Sequence, residues 1–119
     1  MSSDSYAYIN LEAINDIADG DSEFIREIIT NYGETVSNSL EGLSEAISGA
    51  DAERIVFFAH KLKGSYAFVG ADQLHGLVQE IESNPTGGPA LQTNFSELLR
   101  LSQSVDGELE AVLRNLDLA

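Results

Sequence analysis

Few side chains in this sequence can do chemistry, and most of them sit in one short stretch. There are two histidines, His60 and His75, and no cysteine, so thiolate nucleophiles, disulfides and Cys-based metal clusters are out of reach. Neutral imidazole is a good nucleophile near pH 7, with an unperturbed pKa of about 6.5. One ring nitrogen must carry the proton so that the other offers its lone pair. An acceptor at Nδ1 would set that tautomer and leave Nε2 free. Lys63 follows His60 by three residues, one helical turn, and can bring a point charge beside an anionic group carried on the ring. Gly64 follows by four and covers the same patch with no side chain. Glycine inside a helix costs about 1 kcal/mol relative to alanine, so it calls for a reason, and open access to the imidazole is one. Val56 and Phe57, one turn before His60, put apolar surface where a solvated face would carry polar groups. Packing beneath the N-terminal helix is the competing account of that pair.

Taken singly, each of these residues has an ordinary reading: a histidine on a helix surface is usually just solvated. Their coincidence matters because charge is otherwise one-sided, with 20 acidic against 6 basic residues and a net charge of −14. Arg54, Lys61 and Lys63 all fall within a few residues of His60, the one local concentration of positive charge. An acidic surface repels nucleic acid and anionic membranes, so neither is an expected partner. No apolar run approaches the roughly 20 residues needed to span a bilayer, and the first residues lack the basic start and apolar stretch of a signal peptide. A cytoplasmic protein is expected.

The elements that position these residues are helical. Asn10 can cap a short helix from Leu11 to about Ala18, closed by Gly20. Asp21 opens a long second helix to about Ser48, with Phe24, Ile28, Ile29, Tyr32, Val36, Leu40, Leu43 and Ile47 recurring at helical spacing. Asp51 caps a third from about Ala52 to Val69, and Asp72 can cap a fourth to about Ser83. The stretch 84–89 is too rich in Pro and Gly for a helix, and a fifth runs from about Ala90 to Leu116. No strand alternation or internal repeat is present. Short connections between long amphipathic helices favour antiparallel neighbours. The expected fold is therefore all-α, an up-and-down antiparallel four-helix bundle with a short extra N-terminal helix. It forms one domain over residues 1–119, monomeric, with 1–9 a flexible segment. On a wheel of the third helix, Ile55, Phe58, Ala59, Leu62, Tyr66 and Val69 share the core side. Glu53, Val56, Phe57, His60, Lys63, Gly64 and Ala67 share the opposite one. Val56, Phe57, Lys61 and Ala67 make up the candidate partner surface.

The stretch Ala59-His60-Lys61-Leu62-Lys63-Gly64-Ser65, followed by Gly70-Ala71, resembles the signature of histidine-containing phosphotransfer (HPt) domains. Leu74, Leu77, Ile81 and Glu82 are similar to that family's next helix, and Gly20 to Ile25 to its second. The likeness spans roughly residues 10 to 117, with only the third-helix motif specific. Tyr66 stands where the family usually has a small residue, and Val56-Phe57 are more apolar than its pattern. The resemblance implies a relay that accepts a phosphoryl group from one receiver domain's aspartate and passes it to another's. His60 would be phosphorylated, with Lys63 steadying the phosphate and Gly64 opening the approach. Glu82 occupies the position from which some members orient the imidazole, and Gln79 is a weaker candidate one turn earlier. Partners would be response-regulator receivers or a hybrid sensor kinase. Mg²⁺ would belong to the receiver, and this chain would need no cofactor or metal of its own.

The sequence allows three rival readings. A di-metal carboxylate bundle needs paired Glu-x-x-His motifs, whereas His60 is preceded by Phe57 and His75 by Asp72. Ser65 faces another side of the helix from His60 and is not placed as a hydrolytic nucleophile. The remaining alternative is a non-catalytic helical module that uses the same surface only for binding.

Overall fold

The computed structural model describes residues 6–118, the side chains of 117 and 118 excepted. It contains five helices and, among the described residues, no strand: α1 (Glu12–Ala18), α2 (Ser22–Ser48), α3 (Ala52–Phe68), α4 (Asp72–Ser83) and α5 (Pro89–Leu118). Local chemistry accounts for most of the boundaries. The carboxylates of Asp21 and Asp51 accept from the backbone N–H of Phe24 and Arg54, both at 3.2 Å, and so cap α2 and α3. Asn10 Oδ1 accepts from the Glu12 N–H at 2.9 Å, and Asp19 (φ 50°) and Gly20 (φ 84°) in the left-handed region end α1. Pro89 rather than Ala90 opens α5, the first-turn position at which a missing N–H costs nothing.

Asp72 does not cap α4. It is the first helical residue, behind Ala71, which offers no side-chain cap. The reversal from α3 is too tight for another arrangement. Ala71 N–H returns to Tyr66 O at 2.9 Å, Gly70 N–H returns to Ala67 O at 3.1 Å, and α4 begins at once. Gly70 is required there twice. Its φ is 69°, and a Cβ would lie 2.5 Å from the carbonyl oxygen of Asn10.

Four helices form a closed ring of packed neighbours: α2 on α3, α3 on α4, α4 on α5 and α5 back on α2, with α1 laid on α2. The ring encloses a single hydrophobic core in an elongated body of 46 × 23 × 19 Å. α3 faces it with Ile55, Ala59, Leu62 and Tyr66, and Val69, just past its end, joins them, all at most 1% exposed, as the wheel predicts; Phe58 packs on the core from its edge. Tyr66, the departure from the family pattern, is fully buried. Its hydroxyl shares a 3.0 Å hydrogen bond with Ser102 Oγ of α5, and its ring stands edge-on to Tyr32 of α2. Burial pushes its phenol up to about 12. Gly42 of α2 is buried because Phe58 occupies the space a side chain would need.

Residues 6–9 depart from the expected flexible segment; residues 1–5 lie outside the described residues. The carboxylate of Glu108 on α5 accepts from the backbone N–H of Ala7, Tyr8 and Ile9 at 2.9–3.3 Å. Asn10 N–H donates to Val69 O at 3.0 Å, and Ile9 is 5% exposed. One charged acceptor thus satisfies three consecutive donors and straps the segment down. Among the described residues no helix is long and apolar enough to cross a membrane.

Candidate functional site

Midway along α3, on the face turned from the core, the His60 side chain is 72% exposed. The neighbouring helix supplies its partner. Glu82, in the last turn of α4, places Oε2 3.2 Å from His60 Nδ1 and Oε1 2.5 Å from Lys63 Nζ. One carboxylate thus bridges the two groups that the α3 spacing put one turn apart. The tight 69–71 connection makes this contact possible, by folding α4 back along α3 so that residues 22 apart in sequence meet.

The electrostatics set the roles. Lys63 beside it, with His60 adding to the effect, holds the Glu82 carboxyl below its ordinary range, so Glu82 is an anion at neutral pH. An anionic carboxylate can only accept. In neutral His60 the proton therefore sits on Nδ1, donating to Glu82, and the lone pair is on Nε2. The bridged pair is partly shielded, with the Lys63 and Glu82 side chains 29% and 20% exposed. Of the two residues of α4 that could meet the ring, it is Glu82 rather than Gln79 whose side chain lies within hydrogen-bond distance of it.

Access is open on the Gly64 side. A Cβ built on Gly64 would meet no atom within 4 Å, so packing does not demand a glycine there. Ala67, one turn further on, is exposed as well. On the other side of His60, Phe57 is 55% exposed and stands edge-on to Phe58 at 5.1 Å. Lys61 extends its ammonium to 5.3 Å from the Phe57 ring centroid, a cation–π contact at the surface. Val56 is half-buried. Neither apolar residue packs beneath α1. With Ala52, Glu53 and Pro85 they line a shallow, mostly apolar groove, and Pro85 reaches it from the α4–α5 connection. Pro85 was invisible to sequence reasoning, because nothing local ties that loop to α3. His75 of α4 is half-buried.

Such an arrangement suits the transfer of an anionic group to an exposed nitrogen: an oriented nucleophile, a nearby cation and a cleared approach. No curated protein and no solved structure gives a significant match to the chain. The family model of the Hpt domain, however, matches residues 27–117, from the first turns of α2 to the end of α5, and takes in every site residue named above. On that match over most of its length, the chain belongs to the Hpt domain family, the helical phosphotransfer modules of two-component phosphorelays.

Proposed function

We propose that this protein is a phosphorelay intermediate, accepting a phosphoryl group on His60 from a receiver-domain aspartate and passing it to another receiver. Nε2 attacks phosphorus, the bond from phosphorus to the aspartyl oxygen breaks, and the receiver's carboxylate leaves as an anion. The proton stays on Nδ1, where Glu82 stabilises the charge that the ring gains. Lys63 faces the new phosphoryl oxygens. Mg²⁺ belongs to the receiver's acidic pocket in this reading. The ring of four packed helices is read as an up-and-down antiparallel bundle forming one domain, and the chain as a monomer that meets receivers or a hybrid sensor kinase. Val56, Phe57, Lys61 and Ala67 flank the docking site around Gly64.

The observation that carries this reading is the carboxylate of Glu82 held on His60 Nδ1 and Lys63 together. Incubation with a phosphorylated receiver, or a kinase–receiver pair, tests it. The wild-type chain should acquire a label that is labile to acid and stable to base. His60→Gln should abolish it with helicity and melting close to wild type, since the residue is exposed. A label that persists in His60→Gln would refute the assignment, and a wild-type chain that binds receiver but is never labelled would make it a docking module instead.

A further inference from the structure

Two exposed cations of α3 have no anion beside them. Among the described residues Lys63 pairs with Glu82 and Arg100 with Glu97, whereas Arg54 and Lys61 pair with no carboxylate. In a chain with 20 acidic residues, that is positive charge left for something outside the fold. Both cations rest on aromatic rings instead. Arg54 lies 5.6 Å from the Phe58 centroid and Lys61 5.3 Å from that of Phe57, and the two rings meet edge-on at 5.1 Å. The result is a ladder of cation, ring, ring and cation along α3, and its Lys61 end is next in sequence to His60. A ring face attracts a cation without neutralising it, so both charges stay open to an anion.

Phe57 belongs to a second feature as well. Its ring is 55% exposed, and it lines the shallow groove that Pro85 reaches from the α4–α5 connection. Val56 and Ala52 supply more of the apolar wall, and Glu53 is the one acidic residue on it. Through this one ring, an apolar seat and unpaired positive charge become a single patch beside the nucleophile.

We infer that this patch selects the receiver. It seats a receiver segment that presents an apolar side chain to the groove of Phe57 and Pro85, with a carboxylate next to it for Lys61 and further acidic groups toward Arg54. The inference rests on the phosphorelay reading and adds the chemistry of the partner. Charge complementarity argues for this occupant. A chain of net charge −14 repels an acidic protein over most of its surface, so such a partner must land where the cations are. Apolar contact then supplies affinity, and the charges supply register and discrimination among receivers.

Fluorescence anisotropy titration of the full-length chain into labelled, unphosphorylated receiver domains of the source organism reads docking apart from chemistry. At least one receiver should bind. Phe57→Ser should weaken that binding about tenfold at low and high salt alike, because apolar contact is not screened. Lys61→Glu should weaken it about tenfold near 50 mM salt and far less near 500 mM, because charge attraction is screened. Arg114→Glu changes net charge equally on an exposed position of α5 and should leave binding within about twofold of wild type. Binding to no receiver, wild-type affinity in folded Phe57→Ser or Lys61→Glu, a Lys61→Glu loss that ignores salt, or an equal loss in Arg114→Glu would each overturn the inference. Transfer from a phosphorylated receiver is read separately. Labelling of His60 by a receiver whose docking ignores both α3 substitutions removes the patch and leaves the relay. Docking through the patch with His60 never labelled removes the relay and leaves the patch.

Discussion

Two glycines inside helices should answer the same substitution in opposite directions. At Gly64 an added methyl group meets no atom within 4 Å, so Gly64→Ala gains only the better helix propensity, up to about 1 kcal/mol. With an unfolding entropy of about 2.1 cal/mol/K per residue, a chain of 119 residues converts 1 kcal/mol into a melting shift of about 4 °C. At Gly42 the methyl would run into the Phe58 ring, which packs against the core. Overpacking of that kind costs about 1–3 kcal/mol, more than the propensity gain in most of its range. Gly42→Ala should therefore melt several degrees below wild type while Gly64→Ala melts at or above it. Function should split the other way. Gly42 meets Phe58 rather than the outward face of α3, so transfer by folded Gly42→Ala should stay closer to wild type than transfer by Gly64→Ala, and Gly64→Gln should fall further as the side chain grows. Thermal melting followed by circular dichroism, and phosphotransfer from a labelled receiver, read the two effects separately. A Gly64→Ala protein that unfolds would show that α3 is turned the wrong way. A folded Gly64→Gln that transfers at the wild-type rate would show that the glycine is not there for access.

Lys63→Ala should shorten the lifetime of the phosphohistidine, and Glu82→Gln should slow phosphorylation by loosening the Nδ1 proton; both should stay folded, and unchanged kinetics in both would remove the bridge from the mechanism. Tyr66→Phe should destabilise by about 1–2 kcal/mol in denaturant unfolding, because it strands the buried Ser102 hydroxyl, whereas Tyr32→Phe should be neutral or stabilising, because its hydroxyl has no partner to lose. Asp106 bears on pH: folding pushes its carboxyl up, so the stability tied to it is full in acid and is lost as pH rises through the folded pKa. Asp106→Asn should accordingly raise the melting temperature at pH 7 and leave it nearly unchanged at pH 3.

The helical period told which face of each element is buried, and so His60, Lys63 and Gly64 were legible as one outward patch on α3. Asp21 and Asp51 were legible as caps because capping is local chemistry. What could not be read was what each face packs against. Gly42 costs α2 helix propensity, and its reason lies on another helix, in Phe58 of α3, which needs the space. The same holds for Ser102, which gives Tyr66 its place, and for Glu108, which straps residues 7–9 to α5 from about 100 positions away. Glu82 was legible only through family likeness, since periodicity alone does not single out one carboxylate on α4. Asp72 was misread for a different reason: a good capping residue is not used when the preceding turn leaves no room for it.

The carboxylate shared between His60 and Lys63 also bears on the direction of transfer. A relay that hands its cargo on must not become a sink for it, so the phosphorylated state has to lie near in free energy to those of donor and acceptor. An unencumbered lysine would deepen that state. Here Lys63 already holds an ion pair with Glu82, and turning toward a phosphoryl group means weakening that contact. In the relay proposed above, the cation would contribute only the difference between two anionic partners, leaving the phosphohistidine shallower than an unpaired lysine would make it.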